Sequence, residues 1–338
     1  MELDWGSLGF SYISIKERYV SNFKDGKWDD GCMTEDPNVV ISESAGVLQY
    51  AQTVFEGMKA YRTVDGRIVC FRPDMNAARM KASCERMEMP VFPEDRFLDA
   101  VRQTVAANKD CVPPYETGAS LYLRPFMFGS DAVIGVKPSQ EYQFRIFGTP
   151  VGPYFKGAAS LLKLRIPDYD RAAPRGTGNI KAGLNYAMSL HAIVDAHNQG
   201  YNENLYLDPS SRCFIEETGG ANIIFITRDG RLVTPKSDSI LPSITRKSLL
   251  YIAENYLGIK VEERRICIDE LGEFAEAGLC GTAAVISPVG EIVDHGRSFT
   301  FTGGTEHGGP VCSKLYETIR GIQTGQVEAP EGWIMEIE

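Results

Sequence analysis

One lysine set behind a glycine-rich loop is the group in this sequence best placed to do chemistry. Residues 171–186 read RAAPRGTGNIKAGLNY, and a loop holding Pro174, Gly176 and Gly178 delivers Lys181 just ahead of a helical run. Glycine and proline fix turns and let backbone approach closely. The residues after the lysine, AGLNYAMSLHAIVDAH, are apolar nearly all round, the pattern of a buried helix. Lys181 is therefore expected to be drawn inward. Burial disfavours an ammonium, so its pKa falls and the neutral amine becomes accessible. A neutral lysine amine attacks aldehydes and ketones to form a Schiff base. A lysine in an arbitrary chain more often snorkels to water, so the assignment rests on the company this one keeps.

The elements around it are legible from local signals. Strand-like alternation broken by turns runs from residue 10 to 50, followed by a hairpin: TVFEGMKAYR, the turn Val64-Asp65-Gly66, and RIVCFRP. Pro73 opens a helix, PDMNAARMKASCERM, that carries Arg79. A second helix spans about 93–108, ahead of the strands ASLYLRPFMFG and EYQFRIFGTPVG. The segment VGPYFKGAAS is rich in glycine and proline and reads as a connection between domains. Beyond it come short strands, NENLYLD, RCFIEET, NIIFITRDG and RLVTP, then a helix at 243–256 with Pro242 at its mouth and Gly258 at its exit. KVEERRIC, a short helix DELGEFAEAG, an apolar strand CGTAAVISPV and a closing helix PVCSKLYETIRGIQTG complete the chain. Strands in hairpins rather than β–α–β units favour α+β. The expected domains are a small N-terminal one at 1–153, a linker at 154–167, and a large C-terminal one at 168–338.

The bulk properties narrow the partners. The chain has 338 residues, 43% hydrophobic and 24% charged, which is ordinary for a globular protein with a full core. A formal net charge of −10 argues against nucleic acid or an anionic membrane surface. A phosphate-bearing ligand would then need local arginines. The N-terminus MELDWGSLGF lacks a basic region followed by an apolar one, and no transmembrane run appears. The eight cysteines never form CxxC and none pairs with a histidine at metal spacing. Reduced thiols, a cytoplasmic location and no metal site are expected.

Six segments in register, FRPDMNAARM, LYLRP, GNIKAGLNYA, EETGGANIIF, LPSITRKSLL and GTAAVI, give the chain a resemblance to the branched-chain-amino-acid aminotransferases. These belong to the pyridoxal-phosphate fold type IV group, which is D-amino-acid-aminotransferase-like and has two domains of mixed sheets and helices. The resemblance implies pyridoxal 5'-phosphate as cofactor, with Lys181 as the Schiff-base lysine that also shuttles the proton between substrate Cα and cofactor. It places Tyr186 against the ring oxygen and Glu217 against the pyridine nitrogen, which a carboxylate keeps protonated so that the ring accepts carbanion electrons. Glu216, its neighbour on the strand, should point to the other face and reach solvent. Arg79 would fork onto the phosphate, joined by the N–H groups of Ile244 and Thr245 at a helix start and by Thr282. Arg171 would be a second arginine near the cofactor.

By the same mapping the substrate α-carboxylate meets Tyr122 and the backbone at Thr282 and Ala283. Arg124 would take the side-chain carboxylate of glutamate, while Tyr50, Phe55 and Tyr154 line an apolar wall for leucine, isoleucine and valine. The family counterpart of Tyr50 reaches over from a second subunit, so a homodimer is implied. The implied activity is reversible, ping-pong transamination between branched-chain L-amino acids and 2-oxoglutarate. D-amino-acid aminotransferases and aminodeoxychorismate lyases share the lysine, glutamate and phosphate cradle and stand as alternatives. Two departures are visible: Gly220 stands where many relatives carry threonine, and Ala284 and Ser287 occupy the places of a redox CxxC found in some animal relatives. Thiol regulation of that kind should be missing.

Overall fold

The computed structural model describes residues 4–152, 161–301 and 308–337. Its contacts divide the chain into two compact units. The first holds Met1–Tyr154, Ile180–Leu184 and Gly321–Glu338, and the second Phe155–Asn179 and Asn185–Arg320. The expectation drew one boundary region near residue 154, whereas the chain returns to its first unit twice, once for the short stretch that holds Lys181.

The first unit is built on a nine-stranded sheet among the described residues. β1 (Arg18–Lys24), β2 (Lys27–Trp28) and β3 (Cys32–Thr34) answer the early alternation, and a short α1 (Gly46–Tyr50) follows. β4 (Thr53–Phe55), β5 (Met58–Arg62) and β6 (Ile68–Phe71) come next. The β5–β6 hairpin closes through Gly66, whose φ of +88° only glycine adopts without strain. α2 (Pro73–Arg86) has its proline in the first turn, and α3 (Glu94–Ala107) starts with two acidic residues against the helix dipole. β7 (Ser120–Gly129) and β8 (Tyr142–Val151) pair antiparallel along their whole length. Alternation on β7 buries Leu121, Leu123 and Met127 in the core and turns Tyr122, Arg124 and Phe126 to the other face. Beneath the sheet, Phe92 stacks on Phe144 at 4.0 Å and Phe97 meets the same ring at 5.9 Å. Each such buried aromatic stabilises the unit by ~1.5–3 kcal/mol.

The second unit carries another nine-stranded sheet among the described residues, and here the structure corrects four expectations. β9 (Leu162–Arg165) lies inside the expected linker, because LKLR has the apolar content to sit between two neighbours. α4 (Gly183–Asn198) leads to β10 (Glu203–Leu207), which pairs with β9 in parallel. β11 (Ile215–Thr218), β12 (Asn222–Thr227) and β13 (Leu232–Pro235) precede α5 (Ile244–Asn255) and β14 (Val261–Arg264), and β13 and β14 are also parallel. Hairpins dominate, so the class is α+β, but two helices bridge parallel strands.

The expected helix at 269–278 is a single short turn at Ile268–Glu273 followed by β15 (Phe274–Gly281). Its Ala277 and Gly278 fit between β12 and β16 (Val285–Asp294), and packing overrides helix propensity. CGTAAVISPV is accordingly a strand end, a tight turn at 282–284 and a new strand. β17 (Arg297–Thr300) and α6 (Pro310–Gln323) follow. Finally, α4 is not buried all round: Met188, Leu190 and Val194 are 55%, 61% and 56% exposed. Among the described residues no helix is long and apolar enough to cross a membrane, and no cluster of His, Cys, Asp or Glu could hold a metal ion. All eight cysteines are free thiols.

Candidate active site

In the first unit, the stretch carrying Lys181 is laid against β4 and α2. The Phe55 N–H donates to the Lys181 carbonyl at 3.0 Å, and the Lys181 N–H donates to Ser83 Oγ at 3.0 Å. An isolated bridge joins Ala182 to Val54. Fixed at both backbone groups, Lys181 holds its amine 4.6 Å from the centre of the Phe55 ring. Loss of hydration, with the Arg79 guanidinium as the second cause, lowers the amine's pKa to about 8. The amine is thereby within reach of its neutral, nucleophilic form.

Arg79 comes from α2 and meets a residue the sequence reading passed over. Its Nε and Nη2 donate to the two oxygens of Glu56 at 2.8 and 2.7 Å, a two-pronged pair. Glu56 is fully buried and also accepts from Asn76 Nδ2 at 2.7 Å. A glutamate between two apolar strands, in VFEGMK, was the available signal, since a buried carboxylate needs a partner. On β7, Arg124 Nη2 donates to Tyr122 Oη at 3.0 Å, and the guanidinium lies 4.8 Å from the Phe55 ring centre. Arg124 Nε is buried with no hydrogen-bond partner among the described residues. Gly57 makes room for Tyr122: a Cβ there would fall 2.3 Å from the tyrosine oxygen. The unit thus gathers Lys181, Phe55, Arg79, Tyr122 and Arg124 around one amine. Tyr50 ends α1, is 37% exposed, and donates its hydroxyl to the Ile134 carbonyl.

The second unit gathers the carboxylate side of the set. Glu217 is buried on β11, where its Oε1 pairs with Arg171 Nη2 at 2.9 Å and accepts the Leu241 N–H at 2.8 Å. Its Oε2 accepts from Asn222 Nδ2. Arg171 Nε and Asn222 Oδ1, on the two side chains that hold Glu217, are buried without hydrogen-bond partners among the described residues. The expectation that Glu216 reaches solvent is wrong: it is 3% exposed, because residues 237–239 cover its face of the strand. Ile244 and Thr245 begin α5 behind the cap Ser243, whose Oγ accepts the Arg246 N–H at 3.1 Å. That start presents amide N–H groups and the positive end of a helix dipole.

Thr282 and Ala283 form the tip between β15 and β16, which rejoin at the Gly281–Val285 pair. Val285 there has φ +64°, a conformation β-branched residues avoid, of the kind retained at ligand sites. Tyr186 sits in the first turns of α4, which Asn185 ties to the preceding loop by donating to the Thr177 carbonyl at 2.7 Å. Tyr154 lies outside the described residues.

These residues suit pyridoxal phosphate. The donor set offers an amine of depressed pKa, a buried carboxylate, a helix start for an oxyanion, and buried polar atoms that the protein itself leaves unpartnered.

The family model described as "Amino-transferase class IV" matches residues 53–292, well over half of the chain. The chain is 49% identical to the branched-chain-amino-acid aminotransferase of Haemophilus influenzae, over 100% of this chain and 99% of that protein. It is 48% identical to the one from Helicobacter pylori, over 99% and 98%. Among solved structures, the branched-chain amino acid aminotransferase of Thermobaculum terrenum in its PLP-form (holo-form) has the same fold. It superposes with a TM-score of 0.78 at 24% identity, over 96% of this chain and 99% of that one. Motifs, fold and side-chain chemistry agree with these likenesses, and the chain belongs to the class IV aminotransferases.

Proposed function

We infer that the protein catalyses reversible transamination between branched-chain L-amino acids and 2-oxoglutarate with pyridoxal phosphate as cofactor. The observation that carries this is the Lys181 amine, with its pKa lowered to about 8 beside Phe55 and the Tyr122–Arg124 pair. When bound, the cofactor supplies a carbonyl to join the amino group and an electron sink for the carbanion. Lys181 Nζ would be the amine that holds the cofactor by its carbonyl, and the same amine would carry the proton to and from substrate Cα. Glu217 would face the ring nitrogen and favour its protonated form, and Arg171 and Asn222 hold Glu217 in place for this. Arg79, oriented by Glu56, and the N–H groups of Ile244 and Thr245, with the Thr282 hydroxyl, bind the phosphate. Tyr186 serves the ring oxygen.

Substrate selection falls to the Phe55 wall and to Arg124, whose unpartnered Nε would take the side-chain carboxylate of glutamate. Branched alkyl groups leave that arginine alone and rest on apolar surface. Tyr122, Thr282 and Ala283 take the α-carboxylate. The protein works as a homodimer. Support comes from the exposed apolar residues Leu48, Tyr50, Ile134 and Val136 in the first unit, and from the uncovered face of α4 in the second. Tyr50 and Tyr154 would complete the apolar wall, Tyr50 in a second copy. Free thiols fit a reducing, cytoplasmic setting. The test is the absorbance of the purified holoprotein, which should shift on adding L-leucine and not on adding D-alanine. A shift with D-alanine alone would move the assignment to a D-amino-acid aminotransferase.

A further inference from the structure

β11 carries two adjacent glutamates, and only Glu217 has a task so far. Glu216, on the opposite face, accepts at Oε1 from Ser237 Oγ at 2.8 Å and from Ser239 Oγ. The two serines are tied to each other, with their hydroxyls 3.0 Å apart and the Ser239 N–H donating to Ser237 Oγ at 3.1 Å. One carboxylate oxygen thus gathers residues 237–239 into a tight turn behind the strand. Two hydroxyl donors converge on it, and an anionic acceptor holds them more strongly than a neutral one.

That turn reaches back to the working face. The Ser239 carbonyl accepts from Arg171 Nη2, which also donates to the Gly178 carbonyl at 3.0 Å and pairs with Glu217. Two residues on, the Leu241 N–H donates to Glu217 itself. The contacts close a ring from Glu216 through residues 237–239 and Arg171 to Glu217. Gly178 lets the ring close, because a Cβ there would fall 2.1 Å from the Ser239 carbonyl oxygen and 2.6 Å from Arg171 Nη2. The same segment runs straight into Ser243 and the start of α5. Glu216 Oε2 is buried without a partner among the described residues. Burying a carboxylate with one oxygen unsatisfied is costly, and a fold retains such a group where its other contacts matter.

We propose that Glu216 is a positioning residue for transamination: from behind β11 it fixes residues 237–239, so that Ser239 and Leu241 hold Arg171 and Glu217 in working geometry. This rests on the reading of Glu217 as the carboxylate that serves the ring nitrogen. Slack in the turn would loosen Glu217 and shift the phosphate-binding helix start together. The Phe55–Arg124 wall is carried by other strands, β4 and β7.

The test compares holoenzyme variants Glu216→Ala, Glu216→Gln and Ser239→Ala, with Glu217→Ala as reference. The measurements are kcat and KM for L-leucine, the rate of pyridoxal phosphate loss on dilution, and melting temperature. Glu216→Ala is expected to lower kcat by about tenfold to a hundredfold, the scale seen when a group that orients a functional side chain is removed. Cofactor loss should speed up by about tenfold, and KM for L-leucine should stay put. Glu216→Gln keeps an acceptor oxygen and should rescue both. Ser239→Ala, a gentler change should Glu216→Ala fail to fold, should move both in the same direction. A lowered melting temperature with wild-type kcat and cofactor retention would assign Glu216 a purely structural role and overturn the proposal. If Glu217→Ala abolishes turnover while the Glu216 and Ser239 variants keep it, this proposal alone fails. If Glu217→Ala itself turns over normally, the reading of Glu217 fails.

Discussion

The surroundings of Lys181 and of Glu217 treat their charges in opposite ways. Around Lys181 the first unit places an aromatic face and two guanidinium groups, with hydration withdrawn, so the ammonium is discouraged from keeping its proton. Around Glu217 the second unit places an arginine, an amide side chain and a backbone N–H, so the carboxylate is solvated by protein donors. On the proposed function, one group would shed its charge to react and the other would keep its charge to steer electrons. The sheets of the two units are alike in size, and the difference lies in which partners surround each group.

Removing the two groups should therefore have different side effects. Lys181→Ala is expected to lower transamination by ~10⁴ or more, since nucleophile and proton carrier go together. Borohydride should fix the cofactor covalently at residue 181 in the wild type and leave the variant unlabelled. The variant should nonetheless stay folded, because a dehydrated ammonium opposes folding and its removal relieves that cost. Glu217→Ala should lower turnover by ~10²–10³, the scale of one preorganised electrostatic group. It should also lower stability by about 3–5 kcal/mol, because it strands the buried Arg171. Denaturant melts of both cofactor-free variants check the contrast. Equal destabilisation would mean the two charges are not treated differently.

A pH series sharpens the same point. Lys181 binds its proton less tightly in the folded chain, near pH 8, than an unfolded lysine near ~10.4. Between those values the unfolded chain holds more protons, so stability of the cofactor-free protein should rise with pH, by about 3 kcal/mol in total. Lys181→Met should lack this rise. Cofactor capture by the cofactor-free protein should climb with pH and level off near 8. A climb that continues toward pH 10 would place the amine in water.

Much of this was readable because it is local. Asp65-Gly66 announced the hairpin, and Pro73 and Pro242 marked helix starts. What escaped depends on partners far along the chain. Glu56 gains meaning from Arg79, and Glu216 from serines on another segment. Glu276, read as part of a helix, is a buried strand residue whose oxygens accept the Val311 and Cys312 N–H groups at 3.1 and 2.8 Å and cap α6. No local pattern specifies which distant amides a carboxylate will meet. The split of residues 280–289 into two strands was hidden for the same reason, since only pairing to β12 and β9 shows where each strand ends.

The smallest expected effect concerns Gly220, in the turn between β11 and β12. Thr218 closes that turn, donating its N–H and its Oγ1 to the Ala221 carbonyl, each at 2.9 Å. A Cβ at 220 would meet nothing within 4 Å, and φ there lies outside the left-handed region, so a side chain fits without strain. Gly220→Ala should therefore stabilise the protein by ~0.4–1 kcal/mol, through the stiffer unfolded chain. Gly220→Thr should do about the same and add a hydroxyl where the family places the substrate carboxylate. One such hydrogen bond is worth ~0.5–1.5 kcal/mol, which lowers KM for L-leucine by about two- to tenfold in the threonine variant and not in the alanine one. Equal KM in the two variants would show that this turn takes no part in holding substrate.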